Sequence, residues 1–471
     1  MTPQHFDLEK YHSALENSVQ QNFDRTLSLL SDLVAIPSVA WESFDLSQVR
    51  RSAEKVQQLA LDAGFETAEI CSATYGADQK EGMPAVIAQK RAAEGYPTIV
   101  LYAHHDVQPA GDEELWNTQP FQATQQGDRL YGRGAADDKA GVMAHLAAFS
   151  SAKEVLGDDF KAGVTLFIEG EEEAGSPSFT AFIEKYRQQL AGDVIIVADS
   201  ANWRTGVPAL TTSLRGVVSA TFTVRTADHA VHSGMFGGPM VDAYTAGMRL
   251  AATLHTDQGE VAVQGLHIAP EPEVEYSESQ FREDSGILPS TELLGSGSIG
   301  GRLWAKPALS IIGMDIPSVA HSSNTMAAET RVRISLRLAP GDDPQRAHQK
   351  LEEHLHNHAP WGVQVEYSAD EAGLPFQTDT AEAGSQLALQ AMKTAWGVDP
   401  VCTGLGGSIP FISDLKNVFP DAQILITGIE DPDTRAHSAN ESLYLPDFEK
   451  AILAESLMIA QLSQGSWPQG E

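Results

Sequence analysis

The sequence is poor in cysteine, poor in basic side chains, and without long apolar runs. Only Cys71 and Cys402 occur in 471 residues, which excludes a disulfide framework and points to a reducing compartment. Lys and Arg total 31 against 64 Asp and Glu, a formal net charge of -33. A phosphate-binding surface needs clustered Lys and Arg; none stands out, so nucleic acid is excluded as a partner. The acids are spread along the chain rather than gathered in a tail, and such a balance speaks to solubility rather than to fold. No apolar run approaches the ~20 residues that span a bilayer. The opening MTPQHFDLEKYHSALENS has neither a basic start nor an apolar core. No membrane partner and a cytoplasmic setting are therefore expected.

What is present is a set of short, buried-looking strands. TIVLYA (98–103), VTLFI (164–168), VIIVA (194–198) and AQILIT (422–427) are apolar on consecutive positions and separated by helical stretches. That is the pattern of an α/β fold, a mostly parallel central sheet flanked by helices. Val49, Ala53, Val56, Ala60 and Ala63 recur at helical spacing, and Gly64 should end that helix. Between the third and fourth strands lies an insertion of different texture. SATFTVRT (219–226) and RVRISLRL (331–338) alternate polar and apolar, as half-exposed antiparallel strands do. With helices over 241–255 and 344–358 and a strand over 363–368, the order is strand-helix-strand-strand-helix-strand, an α+β module. The expected division is a discontinuous catalytic domain, 1–212 with 379–471, and an inserted domain, 213–378.

The buried strands end on chemistry. TIVLYA runs into His104, His105 and Asp106; VTLFI into Glu169, Glu171, Glu172 and Glu173; VIIVA into Asp199; and AQILIT leads to His437. Ligands of open α/β sheets bind beyond the carboxyl ends of the strands. Carboxylates crowded there would raise one another's pKa, a conflict that a divalent cation removes. Mixed imidazole and carboxylate donors suit Zn and Mn better than Ca. Residues i and i+2 of an extended chain face the same side. His104 and Asp106 therefore point together, His104 as ligand and Asp106 as its orienting carboxylate, while His105 becomes a packing residue. Glu169 and Glu171 read as loop charges.

HHDV followed by QP, YGRGAADDKAG (131–141), EGEEEAGS (169–176), HSGMFGG (232–238), GGSIP (406–410) and AHSANE (436–441) together resemble the dinuclear-metal peptidases. That family holds carnosinase-type dipeptidases, glutamate carboxypeptidase, aminoacylase and succinyl-diaminopimelate desuccinylase. The match runs from about Ile36 to about Glu441, and the long insertion is most similar to the lid of the dipeptidase branch. The resemblance implies two divalent ions, Zn first and Mn second. It places His104 and Asp199 on one, Glu173 and His437 on the other, and Asp137 between them, with a cis peptide after Asp137. It also implies that Glu172 is the general base, that His232 and Asn324 lie at the scissile carbonyl, and that Arg337, Gly407 and Ser408 hold the substrate's free carboxylate. A homodimer through the lid follows from the same resemblance. The expected activity is hydrolysis of dipeptides bearing a free carboxylate; the alternative is an N-acyl amino acid amidohydrolase. Three positions depart from the dipeptidase pattern, His105, Leu405 and the NTMAA stretch after Ser323, and they bear on the preferred side chains.

Overall fold

A computed structural model describes residues 7–407 and 409–465. The chain forms two compact units. One holds the residues up to Thr212, Thr378–Thr403 and those from Asp414 on; the other holds Ser213–Gln377 with Gly404–Ser413.

The first unit opens with two helices, α1 (Glu9–Val34) and α2 (Ser47–Ala63). Gly64 caps α2 in the left-handed region, φ 97°, where a side chain would clash with its own backbone. There follow β1 (Thr67–Cys71), β2 (Ala85–Lys90), β3 (Thr98–His104), α3 (Lys139–Leu156), β4 (Gly163–Glu169), β5 (Val194–Val197) and β6 (Ala209–Leu214). The sheet runs β1-β2-β4-β3-β5 and then takes a strand from much later in the chain before β6. Its centre is parallel, β4 beside β3 beside β5, and its β1-β2-β4 margin is antiparallel. Both faces of its centre are covered, which is why β3, β4 and β5 carry apolar residues on consecutive positions. Ile99, Leu101 and Ala103 pack in one core with Leu146, Phe149 and Ile459. Tyr102 turns the other way, onto Phe167 and Phe179.

The second unit contains β7 (Gly216–Arg225), α4 (Ala243–Ala252), β8 (Ala308–Met314), β9 (Glu329–Leu338), α5 (Pro344–Asn357) and β10 (Gln364–Gly373). They form an antiparallel sheet in the order β8-β9-β7-β10. Val332, Ile334, Leu336 and Leu338 lie on its dry face, against Ala246, Leu250, Leu351 and Leu355 of α4 and α5. Arg331 and Arg333 point to water. The chain then returns to the first unit with α6 (Ala383–Trp396), β11 (Gln423–Thr427) and α7 (Leu445–Leu462). β11 is the late strand, parallel to β5 and antiparallel to β6. Among the described residues no helix is long and apolar enough to cross a membrane.

Candidate metal centre

The parallel register brings the chemistry together. His104, last residue of β3, pairs with Glu169, last residue of β4, so the chain after each strand emerges at the same end of the sheet. His104, His105 and Asp106 are fully buried. His105 turns away, its Nε2 2.9 Å from Pro84 O. The Asp106 carboxylate does something the strand pattern did not suggest. It accepts the N–H groups of Glu172 (3.1 Å) and Glu173 (3.0 Å), capping the single turn Glu172–Ala174. His104 Nδ1 lies 3.1 Å from the Asp106 carbonyl oxygen and 3.4 Å from its carboxylate. Asp106 thus aligns the imidazole mainly through its backbone, and the acidic turn through its side chain.

Asp137 lies between two histidines. Its Oδ1 is 3.3 Å from His104 Nε2 and its Oδ2 is 3.0 Å from His437 Nε2. Glu173 Oε2 is a further 3.3 Å from His437 Nε2. Two donor sets result, His104 with Asp137 and Asp199, and Asp137 with Glu173 and His437, each with its ligand atoms within 4.8 Å of one another. The Asp137–Asp138 peptide is cis. His104 Nε2 is sealed from water and makes no hydrogen bond, and an imidazole nitrogen left so is costly unless something else binds it. These residues fit divalent cations: neutral imidazole and carboxylate are their usual donors.

Much of the bracing was invisible in the sequence. Glu441, wholly buried, accepts from Gly134 N (3.1 Å), Ala136 N (3.0 Å), Asp137 N (3.1 Å) and Arg133 Nη1 (2.5 Å). It ties the loop that carries Asp137 to the loop that carries His437. His437 itself has φ 60°, a left-handed conformation that non-glycine residues seldom adopt. Its loop is pinned by Glu441 on one side and by Asn440, which accepts from Asn117 N and donates to Leu115 O. Gln108, from the HHDVQP stretch, donates to both oxygens of Glu173. Asp138 accepts the His104 N–H (3.1 Å). Glu169 and Glu171 are not solvated loop charges: both are buried. Tyr102 donates to Glu169; Met83 N and Ser178 N donate to Glu171. The EGEEEAG run looked like surface because seven polar or small residues in a row carry no inward periodicity.

The electrostatics suit a site for cations. Burial first, then Asp199 and Asp106, push Glu172 up to about 9, with the nearby His104 opposing. Burial first lifts Asp199 to about 6 and takes Glu430, a further acid near Asp137 and Asp199, well above the carboxylate range. Burial would depress His104, but Asp106 and Asp137 hold it well above the usual imidazole value. Hydrogen bonds to Asp137 and then Glu173 raise His437 to about 10. Metal binding to donors of this kind releases their protons.

In the second unit, His232 and Asn324 are neighbours. His232 pairs with Thr325, and Val231 with Met326, in a short antiparallel ladder, and Ser233 N donates to Asn324 O (2.9 Å). His232 Nδ1 accepts from Gly234 N (3.0 Å), so the neutral ring carries its proton on Nε2, as a donor. Arg337 is half-buried on β9, opposite Val217. A β-carbon on Gly407 would meet open space among the described residues. Ser408 lies outside the described residues.

Fold and donor pattern agree with comparison to known proteins. Residues 100–461 match peptidase family M20/M25/M40. The chain is 32% identical over 376 residues to a cysteinylglycine-S-conjugate dipeptidase of Corynebacterium striatum, covering 79% of this chain and 82% of that one. It is 27% identical over 464 residues to a Cys-Gly metallodipeptidase of Schizosaccharomyces pombe, covering 92% and 94%. Among solved structures, human carnosine dipeptidase 1 superposes with a TM-score of 0.73 at 22% identity, over 98% of this chain and 100% of that one. The chain belongs to peptidase family M20/M25/M40. It is a hydrolase of the metallopeptidase class, and its carnosinase-like resemblance holds.

Proposed function

We propose that the chain hydrolyses the amide bond of dipeptides that carry a free C-terminal carboxylate. The observation that carries this reading is the pair of donor sets sharing Asp137, with an uncommitted Glu172 beside them. His104 and Asp199 would hold one divalent ion, Glu173 and His437 the other, and Asp137 both; Zn is the first choice and Mn the second. When bound, the pair supplies Lewis acidity and a water acidified toward neutral pH.

The remaining work falls to the chain's own groups. Asp106, through the Glu172 and Glu173 N–H groups, fixes the turn that separates the two acids, one committed to metal and one to protons. Glu172 takes the proton of the attacking water and returns it to the leaving amine. His232, with its proton on Nε2, donates to the developing oxyanion near Asn324, and a donor of that kind typically contributes ~10²–10³ in rate. Arg337, Gly407 and Ser408 hold the free carboxylate, as the family resemblance assigns; a guanidinium fork suits that task. Pairing of two copies through the second unit is part of the same reading, with His232 serving the partner's site.

The names of the relatives support dipeptides, since cysteinylglycine and Cys-Gly end in a free glycine carboxylate. The test is an assay of Ala-Gly beside N-acetyl amino acids, with Zn and Mn supplied in turn. Turnover of Ala-Gly is expected. Turnover of only the N-acetyl compounds would favour the amidohydrolase alternative.

A further inference from the structure

The second unit contains a buried cation without a counter-ion. Arg215 precedes β7 and is 8% exposed. Its backbone N–H donates to Leu405 O (3.2 Å) and its Nε to Gly406 O (2.9 Å). Its Nη2 lies so near Gly406 that a β-carbon there would come within 2.9 Å. Its Nη1 is sealed from solvent with no hydrogen-bond partner. No carboxylate among the described residues forms an ion pair with Arg215.

A buried guanidinium normally has an acid beside it, because desolvating an unpaired charge costs several kcal/mol. Here the charged neighbour is another arginine. Arg337 sits opposite Val217, two residues along from Arg215. Burial first and the Arg337 charge second push Arg215 down to about 10, which still leaves it protonated at neutral pH. A like charge beside a buried guanidinium adds to the cost of its burial, and an anion at the empty Arg215 Nη1 offsets both. A loop brace needs only the Nε and backbone donors, so bracing does not explain the empty Nη1.

We propose that Arg215, together with Arg337, forms a two-guanidinium seat for the substrate's free carboxylate, with Arg215 Nη1 as its unfilled donor. This assignment rests on the dipeptide reading and extends it: the seat is specific for a full negative charge, so a peptide amide is rejected. Arg215 also sets the height of the Leu405–Gly406 backbone, which places Gly407 on the same seat.

The experiment compares Ala-Gly with Ala-Gly amide on the metal-loaded protein and on Arg215→Met. The variant is expected to raise KM for Ala-Gly at least tenfold with kcat little changed, and to shift KM for the amide less than twofold. Arg215→Lys, keeping the charge but not the fork, should fall between. Equal losses on both substrates, or none, would mean that Arg215 is only a brace and overturn the proposal. If the unaltered protein hydrolyses N-acetyl amino acids but neither Ala-Gly compound, the dipeptide reading fails while the carboxylate seat is then tested on N-acetylglycine and its amide in the same way. Should the variants not fold, the unaltered protein crystallised with glycine decides: a carboxylate oxygen about 2.7–3.2 Å from Arg215 Nη1 supports the seat, and a carboxylate held by Arg337 alone overturns it.

Discussion

The two units differ in the sign of the buried charge that they leave unanswered. In the first, Asp106, Asp137, Asp138, Glu169, Glu171 and Glu441 are all under 7% exposed. Some are answered internally: Glu441 by Arg133 and three amides, Glu171 by two amides and a hydroxyl. Others have imidazoles as their cationic neighbours: Asp137 and Asp199 near His104 and His437, and Glu173 beside His437 with Gln108 as a neutral donor. In the second unit the buried Asp342 is answered by Arg346, whereas the buried Arg215 has no acid partner among the described residues. The difference teaches that an unanswered buried charge marks where something must bind, and its sign tells what: cations in the first unit, an anion in the second.

That contrast can be broken at several points, in falling order of effect. Glu172→Gln keeps every metal donor and removes only the proton carrier, so turnover should fall about 10²–10⁴-fold with metal content unchanged by elemental analysis. Full activity would remove Glu172 from the mechanism. Glu441→Ala breaks an answered charge and strands Arg133, which is 1% exposed. Losing one partner of such a pair costs about 3–5 kcal/mol, measurable by urea denaturation of the metal-free protein, and metal affinity should fall with it. Arg337→Met removes carboxylate binding shared by ground and transition states. KM should rise about ten- to hundredfold with kcat nearly constant.

The smallest effect on catalysis is expected from a control in a region where charge is matched. His145 on α3 and Glu455 on α7 meet at 2.8 Å. Burial would lower the imidazole, but the Glu455 charge and hydrogen bond raise it above its ordinary value. A raised imidazole stabilises the fold fully below about pH 6.5 and loses that contribution as pH climbs through the raised value. Glu455→Gln should therefore cost about 1.5–3 kcal/mol near pH 6, and the gap should close toward pH 9 in thermal melts. A gap that widens with pH would contradict the assignment.

The sequence made the parallel strands legible because burial on both faces leaves little room for any pattern but an apolar run. It made the acids and histidines at their ends legible for the same reason: polar residues directly after such runs are conspicuous. The antiparallel margin, β1 and β2, was not seen, and neither was β8, where Ile311 and Ile312 are 44% and 54% exposed and blur the alternation. Glu441 escaped notice because its partners lie more than three hundred residues away; no local periodicity reports such a pairing. Arg215 sits between two strands in SLRGVV, and only the folded backbone reveals that no acid meets it. The second task of the Asp106 side chain, holding the Glu172 and Glu173 N–H groups, went unseen for a related reason. The i, i+2 rule gives a direction but says nothing of the turn from another strand that arrives to use it.

The central claim is that Asp137 and four other donors hold a pair of cations. Anomalous scattering from crystals grown with Zn tests it most directly. The account predicts two peaks, one against His104, Asp137 and Asp199 and one against Asp137, Glu173 and His437. A single peak that Asp137→Ala leaves in place, or peaks only elsewhere on the chain, would contradict it.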